Sequence, residues 1–276
     1  MKQLENKVAV ITGASSGIGR GIAELFAAEG AKTVIVARRE AMLNEVASGI
    51  RAKGGEAVIA AADVTEESDA AAVFAKAVKA YGRVDILVNN AGVAAGKPID
   101  EMTLEYWNDV VAANMTSVFL MSRAAVKQMK AQTPQGGRII NMGSVSAKTP
   151  RPDSIAYTAT KFAVQGMTHQ LTLDGRKYGV VSSVIHPGAT LSAFSQRRGR
   201  TKAGWGPNPD DDYIMAAEDV ARVALLMASL PPEVNLYGGD HPAQHHALVH
   251  RAGVNGAAAG PGASPAPWSR PDTRAR

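Results

Sequence analysis

The sequence of 276 residues contains no cysteine, which excludes disulfide scaffolds, zinc–thiolate centres and cysteine nucleophiles and fits a reducing cytoplasm. No apolar run reaches the ~20 residues of a membrane span. The apolar stretch after the charged start MKQLENKVAVITGA is broken at Thr12 and Gly13 before it could serve as a signal core. Charge of one sign is also scarce in the body of the chain. From His241 onward four arginines stand against Asp272, so +3 of the formal +5 lies there and residues 1–240 carry +2. A nucleic-acid surface needs a basic stripe interleaved with aromatics. Aromatics make up 5% of the chain, and the one short basic run, Arg197, Arg198, Arg200 and Lys202, reads more simply as a solvated loop. Neither nucleic acid nor membrane is expected as a partner.

What is present is regular alternation. KVAVIT (7–12), TVIVA (33–37), AVIAA (57–61), VDILVN (84–89), GRIINM (137–142) and VVSSVI (180–185) read as buried strands by length and content. Helix-length segments separate them at 18–29, 40–53, 66–80, 103–131 and 154–178, and a last helix is expected at 216–230. Strict strand–helix alternation implies parallel strands, right-handed crossovers and helices on both faces: an α/β, doubly wound parallel sheet of the Rossmann type. Ligands of such sheets sit beyond the carboxyl ends of the strands, where the winding direction reverses.

Three stretches at those ends carry chemistry. The first strand runs into TGASSGIG, where Gly13, Gly17 and Gly19, with Ser15, Ser16 and Ile18 between them, open a helix; glycines let the backbone approach a pyrophosphate, and the helix N-terminus attracts it. A merely tight turn is the plainer alternative. The second strand ends in Ala37-Arg38-Arg39. An acidic residue there would accept from a free ribose 2′-hydroxyl, whereas arginines bind a 2′-phosphate, so NADP(H) is favoured over NAD; the plainer reading is a solvated helix start. On the helix beginning near Ser154, Tyr157 and Lys161 stand at i, i+4 on one face about 6 Å apart along the axis, which lets an ammonium stabilise tyrosinate. Alone, that spacing is a common accident. Its company is Asn89-Asn90-Ala91-Gly92 after the fourth strand and Ser144 after the fifth.

With TGASSGIG, NNAG, Asn114, Ser144 and YTATK in this order, the chain resembles the short-chain dehydrogenase/reductase superfamily over residues 7 to about 237. The resemblance implies hydride transfer between nicotinamide and a small-molecule carbonyl or alcohol. It makes Tyr157 the general acid/base, and gives Lys161 the task of assisting it while holding the nicotinamide ribose. Ser144 orients the substrate oxygen, and Asn114 bends its helix and holds a water connecting Lys161 to solvent. It also implies adenine contacts from Asp63 and Val64, cofactor contacts from Asn90, Ala91 and Gly92, and a nicotinamide edge at Pro187 and Gly188. In the family a threonine usually follows at the fourth position beyond that glycine; here Ser192 stands there with Thr190 nearby, and either hydroxyl could serve the carboxamide. A homodimer or homotetramer through the helices bearing Asn114 and Tyr157 is implied too. Trp107, Tyr106 and Phe119 read as core or subunit contacts, His169 as surface or interface, and His186 as a strand-end residue near the cofactor.

The departure lies at the C-terminus. Residues 1–237 read as the oxidoreductase domain, with a substrate lid at about 189–215, and 238–276 as an atypical, disordered tail. No strand is expected after Leu236 and Tyr237, where family members carry a final one. The tail holds His241, His245, His246 and His250. Pairs at i, i+4 can chelate zinc, but no carboxylate or cysteine follows in 241–271, so no metal site is assigned. A shift of reading frame just after Tyr237 accounts for the tail better: with suitable synonymous codons for Gly238–Asn255, loss of one G restores a β-branched strand, a proline and an early stop. A missing strand would also allow a second reading, a dinucleotide-binding protein that has lost turnover.

Overall fold

Six parallel strands form the frame: β1 (Val8–Thr12), β2 (Lys32–Ala37), β3 (Glu56–Ala61), β4 (Ile86–Asn89), β5 (Gly137–Met142) and β6 (Val180–Pro187), in the spatial order β3-β2-β1-β4-β5-β6. The computed structural model describes residues 2–94, 96–191 and 214–236 fully, and 238–241 and 249–251 by their main chain. The strands are continuous apolar runs because both sheet faces are covered. Along β1, Ala9 and Ile11 enter one core cluster while Val10, between them, enters the other. The first cluster is closed by α1 (Gly17–Ala28), α2 (Glu40–Ala52) and α7 (Ala217–Ser229), the second by α3 (Glu67–Tyr81) and α5 (Ser117–Ala131). On α1, Ile22 and Phe26 stand one turn apart and are fully buried; each such side chain contributes roughly 1.5–3 kcal/mol.

The long helix expected at 103–131 is continuous but bulged. The hydroxyl of Thr103 caps α4 (Leu104–Val111) by accepting from Tyr106 N at 3.2 Å, and a π-helical turn, Ala112–Thr116, joins α4 to α5. The helix expected at 154–178 is α6 (Ile155–Gly175) followed by a 3₁₀ turn, Arg176–Tyr178. Because β2 and β3 lie on one side of β1 and β4 to β6 on the other, the winding reverses between β1 and β4. The crevice beyond the ends of those two strands is where this fold binds ligands.

The C-terminal segment is pinned to the sheet by one buried cation. Arg138 of β5, 5% exposed, donates from Nη2 to the carbonyls of Val234 (2.9 Å), Pro231 (3.2 Å) and Leu230 (3.4 Å), and from Nη1 to Asn235 Oδ1 (3.3 Å). Asn235 in turn donates to Ser182 O and accepts from Ser183 Oγ. Burial lowers the Arg138 guanidinium to about 10, which leaves it protonated at neutral pH. This network sets β7 (Val234–Leu236).

The expectation that no strand follows Leu236 is corrected. The main chain of β8 (Gly238–His241) lies parallel beside β6, from Val184↔Gly238 to Pro187↔His241, and β9 (Val249–Arg251) pairs antiparallel with β7. Sequence propensity missed β8 because pairing uses backbone N–H and C=O groups, and the open edge of β6 accepts a segment with little strand preference of its own. Of the tail expected over 238–276, residues 242–248 and 252–276 lie outside the described residues, as do most of the lid (192–213) and with it Ser192.

Candidate active site

Thr12, the last residue of β1, joins the two strand ends that flank the crevice. Its Oγ1 accepts from the N–H groups of Asn90 and Ala91, both at 2.9 Å, and donates to Val88 O at 3.2 Å. Asn90 Nδ2 returns to the carbonyls of Thr12 (3.0 Å) and Gly13 (3.3 Å). The two sequence motifs, TGASSGIG and NNAG, are therefore one hydrogen-bonded unit.

Glycine is required in this unit by contact and by conformation. Gly13 has φ +65, and a Cβ there would stand 2.8 Å from Asn90 Nδ2; a Cβ on Gly19 would collide with the Gly13 carbonyl. Ser16 makes no side-chain cap to α1, and the first turn of the helix carries no acidic residue. A glycine-lined terminus with no anionic side chain of its own suits a diphosphate. At the end of β2, Arg38 and Arg39 are both exposed, and Arg38 Nη1 lies 3.8 Å from Asp63 Oδ2. Hydrogen bonding from the Thr65 hydroxyl and N–H holds the Asp63 carboxyl below its usual range, with Arg38 adding to the effect against the cost of burial. Val64 is buried next to it.

Asn114 sits in the π-helical turn and is 1% exposed. Its amide pairs with the main chain of Val93, accepting from Val93 N at 2.7 Å and donating to Val93 O at 2.9 Å, and Nδ2 also reaches Thr160 Oγ1 at 3.4 Å. Gly92 provides the room: a Cβ there would lie 2.7 Å from Asn114 Oδ1. Thus Asn114 binds the NNAG loop to α6.

On α6, Lys161 is buried, donates from Nζ to Met142 O at 2.8 Å, and lies 5.5 Å from the centroid of the half-buried Tyr157 ring. Met142 ends β5, two residues before Ser144, so one ammonium bridges the tyrosine and the strand that carries the serine. Ser144 is 7% exposed, and its Oγ accepts from Ser146 N at 3.1 Å, which leaves the hydroxyl hydrogen available to another acceptor. Beyond β6, the Thr190 hydroxyl donates to Gly188 O, Leu191 N donates to Met215 O and Met215 N to Ala189 O, both at 2.8 Å. Every predicted site residue among the described ones therefore lies on the strand-end side of the sheet.

Four polar residues of this region were given no site role by the sequence, although Asn89 stands in the NNAG motif and His186 was placed near the cofactor. Thr12 is one. Asn89 Nδ2 donates to Asn141 Oδ1 (2.8 Å) and Ser122 Oγ (3.0 Å), and Asn141 Nδ2 passes on to Thr168 Oγ1 (2.9 Å), forming a buried chain beneath the site. The fourth, His186, touches the main chain of Ser144. Their partners are far away in sequence, and only the doubly wound topology brings them together.

A family model described as "short chain dehydrogenase" matches residues 7–203. The chain belongs to the short-chain dehydrogenase family. A 3beta-hydroxysteroid dehydrogenase of Mediterraneibacter gnavus is 36% identical over 198 residues, 71% of this chain and 71% of that protein. A protein of Streptomyces violaceoruber named for ketoacyl reduction in the granaticin polyketide synthase is 36% identical over 207 residues, covering 75% and 76%. Among solved structures, a metagenomic short-chain oxidoreductase in complex with NADP superimposes with a TM-score of 0.73 at 32% identity, covering 87% of this chain and 98% of that one. Membership makes the protein a dehydrogenase or reductase of a family that uses nicotinamide cofactors. No helix among the described residues is long and apolar enough to cross a membrane.

Proposed function

We propose that the protein is an NADP(H)-dependent oxidoreductase that interconverts a carbonyl and a secondary alcohol on a small molecule. The observation that carries the reading is Lys161, which donates to Met142 O, two residues before Ser144, and stands 5.5 Å from the centroid of the Tyr157 ring. When bound, the nicotinamide supplies or accepts the hydride. Gly13, Ser15, Ser16, Gly17, Ile18 and Gly19 would hold its pyrophosphate, Asp63 and Val64 its adenine, and Asn90, Ala91 and Gly92 the adjoining ribose side. Pro187, Gly188 and Thr190 would border its nicotinamide.

The Tyr157 hydroxyl gives a proton to the oxygen on which charge develops during reduction and recovers it in oxidation. Lys161, fixed by Met142 O, keeps a positive charge against the phenolate left behind. Ser144, its lone pair engaged by Ser146 N–H, donates to the same substrate oxygen. Asn114 keeps the helix bulged and α6 in register with the NNAG loop, and a water beside it connects Lys161 to solvent. Exposed Phe119 on α5 and Phe162 on α6, about half accessible each, supply an apolar face for a homodimer or homotetramer.

Arg38 and Arg39 support the phosphorylated cofactor. The Arg38–Asp63 pair is long and solvated, so it costs little to exchange for a 2′-phosphate. The test is a binding titration with NADPH and NADH, followed by turnover on ketones, acyl thioesters, sugars and steroids. NADPH is expected to bind at least about tenfold more tightly, and the double replacement Arg38→Asp, Arg39→Asp to reverse the order. Equal affinities in the unaltered protein contradict the assignment.

A further inference from the structure

Ser144 stands just beyond the last regular pair of β5 and β6, Met142↔Ile185, where the ladder stops holding the chain. Gly143 N still donates to Ile185 O at 2.7 Å. The next ladder bond would need an N–H from Pro187, and proline has none. A side chain fills the gap. His186 is 3% exposed, and its Nδ1 lies 2.9 Å from Ser144 O and 3.3 Å from Ser144 N. With the ring proton on Nδ1 the imidazole donates to the carbonyl; with it on Nε2 the same nitrogen accepts from the amide N–H. Either tautomer ties the ring to the Ser144 main chain. The Ser144 carbonyl also accepts from Ala147 N at 2.9 Å, closing the short turn whose cap is the Ser144 hydroxyl.

Gly143 makes the contact possible. A Cβ at that position would stand 2.5 Å from His186 Nδ1 and 2.8 Å from Cε1, so any larger residue drives the ring away from the strand end. Gly143, just beyond β5, and His186 of β6 are thus fitted to each other. We propose that His186, seated against Gly143, is a positioning residue that fixes the Ser144 main chain and through it the direction of the Ser144 hydroxyl. The inference rests on the role given above to Ser144. A hydroxyl that must meet a substrate oxygen at hydrogen-bonding distance gains from such support, since small displacements of a reacting group lower rate steeply.

The experiment uses the full chain with NADPH and phenanthrenequinone, an activated diketone, as probe. His186→Ala and Gly143→Ala are each expected to lower kcat about tenfold while NADPH affinity stays within about twofold. His186→Asn places an amide where Nδ1 stands and is expected to keep kcat within about threefold, whereas His186→Gln, which reaches the position of the far nitrogen, is expected to resemble alanine. Should the alanine variant fail to fold, the asparagine–glutamine comparison decides the matter. In a Ser144→Ala background the His186→Ala change is expected to cost nothing further. Equal losses with and without the serine hydroxyl, or an asparagine variant as poor as alanine, overturn the inference and leave the reading of Ser144 standing. An unaffected Ser144→Ala protein, or an unaltered chain inactive on the probe, removes the reading of the site and this inference with it.

Discussion

The Thr12 hydroxyl satisfies two backbone N–H groups of the NNAG loop with one oxygen, and those groups have no strand partner to replace it. Thr12→Val keeps the shape and removes the acceptor. Leaving such donors unpaired costs about 1–3 kcal/mol, so urea unfolding is expected to show that loss together with weaker NADPH binding, while Thr12→Ser retains both. A valine variant with unchanged stability and affinity would break the link drawn between the two motifs. At this scale the sequence was legible where chemistry is local: Tyr157 and Lys161 are one helical turn apart, and Arg38 and Arg39 are adjacent. It was silent where one hydroxyl or ring serves a distant segment, as Thr12 serves Asn90 and His186 serves Ser144.

At the scale of elements, six strands and the helices between them could be read from apolar runs because burial on both faces leaves no polar alternation to confuse them. Three features depend on tertiary contacts that local spacing does not show, although the family resemblance implied a bend at Asn114. The π-helical turn at Ala112–Thr116 has the same apolar spacing as its flanks, and its cause, the pairing of Asn114 with Val93, is tertiary. The strand β8 is imposed by the open edge of β6 rather than by its own residues. Arg138 holds three carbonyls of the segment leading into β7, a role that no local pattern around it shows. Arg138→Met fills similar volume without donors, so those carbonyls lose their partner. We expect a loss of at least about 2 kcal/mol on unfolding and faster amide exchange confined at first to residues 230–236. Uniform exchange with unaltered stability would show that the clamp contributes nothing.

For the whole molecule, the seventh position of the sheet is occupied at the main-chain level, which answers the missing strand and leaves the second reading, a binder without turnover, to be decided by turnover. The residues that occupy it, GGDH, remain unlike a strand, in keeping with the proposed shift of frame after Tyr237. Resequencing the gene around codon 238 is expected to reveal a single-base change that restores a β-branched strand and an early stop; if none does, the frame proposal fails and zinc titration of the histidine cluster becomes the relevant test. The central claim concerns proton and hydride transfer at one site. It is tested most directly by Tyr157→Phe, which removes the proton donor and leaves the ring, measured as NADPH oxidation on a reducible ketone alongside NADPH binding. Turnover is expected to fall by about 10²–10⁴ with NADPH affinity nearly unchanged; a Tyr157→Phe protein that oxidises NADPH at close to the original rate would contradict the account.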